Sequence, residues 1–135
     1  MRRSFLVVGI ILAGLAVALG AFGAHGLKKL VDEQAVEVFK TGVQYQFYHA
    51  LALIVTAILS QKFVARELNW AGNLFIGGII LFSGSLYTIT AFKAMTAPIP
   101  MFIGPITPLG GVLFIAGWFF LLIAVLKSKS SQVEA

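Results

Sequence analysis

The chain alternates between long apolar runs and short polar breaks, and the runs set its architecture. The first, Phe5 to Ala24, holds no charged residue and follows Arg2 and Arg3. A basic start, an apolar stretch and the small residues of AFGA imitate a secretory signal, whose apolar core holds about 7–15 residues. This run instead has the length of a full span, about 20 residues, and is read as a retained helix. The second run is graded. Leu27, Val31, Ala35, Val38, Phe39 and Gly42 recur at helical steps, with Lys28, Asp32, Glu33, Glu37 and Lys40 between them. That pattern predicts an amphipathic helix on the membrane surface, started by Asp32 and bending at Gly42 into a second span. The third run is Trp70 to Phe92, and the fourth, Pro108 to Leu126, has a helix start at Thr107 and Pro108. Between them KAMTAPIPMFIGPIT is apolar but broken by proline, which predicts a compact loop at the interface or over the bundle. The tail after Lys127 is polar and expected to be mobile. The fold class expected is all-α: an integral membrane four-helix bundle with an amphipathic helical segment before the second span. It forms one domain over residues 1–135, with spans at about 5–25, 43–63, 70–92 and 108–126.

Composition agrees with lipid as the solvent. The chain is 59% hydrophobic and 11% charged, whereas a soluble domain carries about 25% charged residues. A net charge of +5 raises the possibility of nucleic acid, but the basic residues are scattered beside apolar runs. Topology and anionic headgroups account for them, and no nucleic-acid partner is expected. Arg2, Arg3, Lys62, Arg66, Lys127 and Lys129 fall on one side, and Lys28, Lys29, Lys40 and Lys93 on the other. This bias places both termini in the cytoplasm. The acids Asp32, Glu33, Glu37, Glu67 and Glu134 all lie outside the spans, so no intramembrane carboxylate is available for a proton or a metal. With no cysteine and two histidines, zinc and thiolate chemistry lack ligands. No metal, no cofactor and no catalytic residue is assigned, and the chain is not expected to be an enzyme.

Helices in lipid approach closely where residues are small. Ala16, Gly20 and Ala24 form one ridge, while Gly77 with Gly84 and Gly110 with Gly117 each mark one face seven residues apart. GGIILFSG and GGVLFIAG align with each other, as a duplication or simply as packing seams; packing is the reading taken. Polar residues gather at one end of the spans: His25, Tyr45, Gln46, Tyr48, His49, Tyr87, Thr88, Thr90, Lys93 and Thr107. His25, Tyr45, Gln46, His49, Tyr87 and Lys93 are the candidate site. His49, about 9 Å below the start of its span, should face protein. Such a cluster has three readings: hydrogen bonds between helices with an aromatic belt, a pocket for a lipid headgroup or small solute, or acid–base chemistry.

Four motifs, GAFGAHGL at 20–27, YQFYHALAL at 45–53, LFSGSLY at 81–87 and GPITPLGG at 104–111, resemble the YgdD/YwdK family. The resemblance covers nearly the whole chain and implies a bacterial cytoplasmic-membrane protein of four helices, without supplying an activity. The leading expectation is a non-enzymatic bundle that binds membrane lipids or associates with another membrane protein or itself. The alternative is a small-solute transporter or oligomeric channel entered through the polar outer-leaflet cluster. On this reading His25 ends the first helix close to His49, with Tyr45 or Gln46 in reach.

Overall fold

The structure, a computed structural model, describes residues 2–133, with side chains described through Ser128. Glu134 and the Lys129 side chain, both part of the charge reading, lie outside the described residues. Among the described residues all regular structure is helical, in four helices long and apolar enough to cross a membrane. These are α1 (Arg3–Ala24), α2 (Glu33–Lys62), α3 (Arg66–Ala94) and α4 (Ile106–Val133). A 3-10 turn, Leu27–Lys29, links α1 to α2. The expected spans 70–92 and 108–126 fall inside these helices, 5–25 and 43–63 each overrun theirs by one residue, and α4 continues through Val133 where a mobile tail was expected.

The amphipathic segment does not lie on the membrane as a separate helix. It forms the first turns of α2, which runs unbroken for 30 residues, about 45 Å. Asp32 caps it as expected, its Oδ1 accepting from the Ala35 N–H at 2.8 Å. The apolar stripe has protein to cover it: Val36 and Phe39 pack with Leu27, Leu19 and Tyr87 into a small core at this end. Gly42 is a point of close approach, since a Cβ there would stand 2.9 Å from the Tyr87 ring.

α2 lies between α1 and α3, and α4 packs along α3. The main core is formed by Ala52 of α2, Leu68, Ala71, Phe75 and Ile79 of α3, and Phe114, Leu121 and Ala124 of α4. A second cluster joins Phe5 of α1 to Leu53 and Ala57 of α2. The end carrying the chain termini is pinned by Arg2, whose guanidinium donates to Asn69 Oδ1 at 3.0 Å and to the Ala65 carbonyl at 3.3 Å. Lys127 and Glu67 form an ion pair at the same end. At the opposite end the α3–α4 connection buries Ile103 and leaves Met101 and Phe102 exposed.

α3 contains a π turn, Ile79–Ser83, and this turn corrects the glycine reading. A π turn takes up an extra residue without advancing the helix face, about 100° of rotation. Gly84 is thereby turned away from the face that Gly77 occupies: nothing lies within 4 Å of where its Cβ would be. Gly77 remains in the seam, where a Cβ would stand 3.2 Å from Leu113, and a Cβ on Gly20 would make ordinary contact with Val43 at 3.4 Å. A Cβ on Gly117 would stand 2.7 Å from the Phe75 ring, and one on Gly110 would strike the backbone nitrogen of Phe82. Gly72, outside the glycine pairs read from the sequence, is closed off by the Phe5 ring of α1, which a Cβ there would strike.

Candidate functional site

The polar residues of the sequence reading separate into ties and edges. Gln46 is buried on α2 and joins three helices. Its amide donates to the Leu12 carbonyl of α1 at 2.8 Å, and its Oε1 accepts from the Tyr87 hydroxyl of α3 at 2.7 Å. The Ser83 hydroxyl, in the π turn, donates to the Gly42 carbonyl of α2 at 2.6 Å. Ser85 donates to the Phe82 carbonyl, so the Thr107 hydroxyl of α4, 2.6 Å away, donates to Ser85. In hydrocarbon a bare polar group is costly, and each of these groups finds its partner on a neighbouring helix or its own backbone.

His49 is 4% exposed and sits among aromatic rings. Nδ1 lies 2.7 Å from the Tyr45 carbonyl, which only accepts, so Nδ1 carries the proton. Nε2 lies 3.1 Å from the Trp118 indole nitrogen, which only donates, so Nε2 is the acceptor. Both bonds are satisfied by one form alone, the neutral Nδ1–H tautomer. A proton on Nε2 would oppose the Trp118 N–H. The ring stacks on Phe114 with centroids 3.6 Å apart, and Phe75 packs against it at 5.7 Å. His49 therefore binds α2 to α4 by stacking and one hydrogen bond, with no nitrogen left for a substrate.

The structure does not bring His25 to His49. His25 caps the end of α1 with its side chain exposed, level with the Leu27, Val36 and Phe39 cluster. His49 lies ten residues further along α2 than Phe39, about 15 Å. Continuing α2 upward instead of laying it on the surface is what separates them. Lys93 is also elsewhere, lining a polar hollow of about 570 Å³ with Lys29, Asp32 and Thr96 at the end of the bundle. Of the six candidate residues, Gln46 and Tyr87 meet directly, and Tyr45 and His49 share one face of α2. Among the described residues no three His, Asp or Glu side chains converge as metal ligands would.

Tyr45 and His49 instead line a cleft between α2 and α4, about 700 Å³ in volume. Its walls are Tyr48 and Leu51 from α2, Phe82 from the π turn, and Gly111, Phe114, Ile115 and Trp118 from α4. Gly111 opens it: the nearest atom to its Cβ position is Phe82 Cδ2 at 3.9 Å. The cleft faces outward from the bundle, with Ile115 71% exposed on its rim. Phe82, Gly111, Phe114, Ile115 and Trp118 were not singled out from the sequence. Their signal was spacing: Gly111, Phe114 and Trp118 fall on one helix face, opposite Tyr45 and His49 four residues apart.

Comparison with known proteins places the chain. Residues 19–111 match the family model described as a protein of unknown function, DUF423. The UPF0382 membrane protein YwdK of Bacillus subtilis is 45% identical over 93% of this chain and 98% of its own length. The UPF0382 membrane protein SAB0533 of Staphylococcus aureus is 42% identical, over 93% of this chain and 97% of its own. A UPF0382 membrane protein of Staphylococcus epidermidis is 44% identical over the same shares. No solved structure matches. The chain belongs to this family of small membrane proteins, as its four motifs implied.

Proposed function

We propose that this DUF423 family member is a non-enzymatic lipid-binding bundle, which holds the acyl chain of a membrane lipid in the α2–α4 cleft. One observation carries the reading. The cleft opens on the flank of a bundle whose four helices are long and apolar enough to cross a membrane. Water cannot fill a concave apolar surface at that depth, whereas a lipid chain can, and it forfeits no hydrogen bond in doing so. The walls are aromatic and aliphatic, and the His49 nitrogens are engaged within the protein. The transport alternative is weaker because Gln46, Ser83, Ser85 and Thr107, the polar groups that would line a path, are used as ties between helices.

Gly111→Leu should fill the cleft while leaving stability within about 0.5 kcal/mol of wild type, since the space around Gly111 is open. A phospholipid with a photoreactive acyl chain, in nanodiscs, should crosslink to Leu51, Phe114 and Ile115 in the wild type and lose those crosslinks in the variant. Crosslinks spread evenly over exposed Ile10, Val17 and Ile80, unchanged by Gly111→Leu, would remove the assignment. A second copy of the chain or another membrane protein crosslinked in the cleft would make it an association surface instead.

The same reading puts the protein in the bacterial cytoplasmic membrane with both termini in the cytoplasm. Six lysines and arginines lie at the terminal end of the bundle, against four at the other. A reporter fused after Ala135 should be active only in its cytoplasmic form. Activity of a periplasmic reporter at that position would invert the topology.

A further inference from the structure

Two phenols stand on the rim of the cleft. Tyr45 is 38% exposed, and among the described residues its hydroxyl makes no hydrogen bond, although its ring packs on Phe82 at 4.6 Å. Tyr48 is exposed beside it, with ring centroids 6.1 Å apart. Its oxygen accepts from Gln44 at 2.6 Å, which leaves the phenolic proton undirected. Every buried polar group around them is partnered within the bundle, so these two donors differ from their surroundings in facing outward without an acceptor.

Their depth identifies what an acceptor would be. Tyr45 lies seventeen residues before Lys62, the last residue of α2, and therefore about 26 Å along the helix from that end. The hydrocarbon core is about 30 Å thick. With Lys62 at one boundary, the Tyr45 backbone sits about 4 Å inside the other and that of Tyr48 about 9 Å inside, its hydroxyl carried back toward the boundary beside Gln44, near where an acyl chain meets the glycerol backbone. The cleft runs inward from there: Gly111 is beside the rim and Trp118 is seven residues further along α4, about 10 Å deeper. At the rim the acceptor that an ester-linked chain presents is its carbonyl oxygen. An ether-linked chain of the same shape has no carbonyl there.

We propose that the Tyr45 and Tyr48 hydroxyls donate to the ester carbonyl of a glycerolipid whose acyl chain occupies the α2–α4 cleft. This rests on the lipid reading above, and adds a chemical class to it: the site selects ester-linked over ether-linked lipid. The phenols fix the register of the chain, and the apolar walls accept it.

The test compares phosphatidylglycerol carrying two ester-linked saturated chains with its diether counterpart of matched chains, by native mass spectrometry of the full-length protein. The wild type should retain the diester about threefold to tenfold more strongly, the difference one or two hydrogen bonds make. The Tyr45→Phe, Tyr48→Phe double variant should keep its thermal transition and hold both lipids equally. Equal retention of the two by the wild type, with both lost in Gly111→Leu, would overturn the ester contact and leave the chain-binding cleft standing. Retention of neither lipid by folded wild type would overturn both.

Discussion

Replacing Gly110 with alanine should cost the bundle about 3 kcal/mol, the upper end for overpacking. The reason is what the new methyl would strike. A Cβ on Gly110 would strike the Phe82 nitrogen and lie 2.8 Å from its Cα. Those are backbone atoms of the π turn, and they cannot rotate aside as a side chain can. The turn itself is tied to α2 through Ser83 and the Gly42 carbonyl, so a displacement there would also loosen the α2–α3 seam. Gly84→Ala is the control: with nothing within 4 Å of its Cβ position, it should change stability by no more than about 0.5 kcal/mol. Thermal unfolding in one detergent separates the two. Equal transitions for both variants would refute the packing described for α3 and α4.

Gln46→Leu is expected to cost about 2–3 kcal/mol although leucine is the more lipophilic residue. Hydrogen bonds between membrane helices are individually modest, averaging about 0.6 kcal/mol with a maximum near about 1.7. Gln46 makes two of them, to Leu12 and from Tyr87. Its loss also strands the Tyr87 hydroxyl inside the bundle, a penalty of about 1–3 kcal/mol. The Leu12 carbonyl is less affected because it belongs to the backbone of α1. Adding Tyr87→Phe should therefore recover part of the loss, with a coupling of about 1 kcal/mol in a double-mutant cycle. Purely additive effects would mean that the Gln46–Tyr87 bond contributes nothing.

The long runs made the helices legible because apolar length alone specifies a span, and Asp32 announced the start of α2 through its capping chemistry. Gln46 and Tyr87 were legible as polar residues at membrane depth, which must find partners, though not as partners of each other. What failed, failed for identifiable reasons. The amphipathic pattern from Leu27 to Gly42 looks the same whether a headgroup layer or the ends of α1 and α3 cover its apolar stripe. Only the tertiary packing of Val36 and Phe39 decides. That choice lifted His25 away from His49. Gly84 was misread because seven-residue spacing keeps a face only in an uninterrupted α-helix, and IILFS carries no residue that marks a π turn. The cleft was missed because Phe114, Ile115 and Trp118 look like any lipid-facing residues until Gly111 is placed opposite Phe82.

The central claim is that lipid, and not water or another helix, fills the space between α2 and α4. It is tested most directly by an experimental structure of the protein in nanodiscs of bacterial lipid. Continuous chain-like density should enter beside Tyr45 and Tyr48, pass Gly111 and end against Trp118, with His49 still bonded to the indole. A cleft closed by contact between the two helices, or filled by a helix of a second copy, would contradict it.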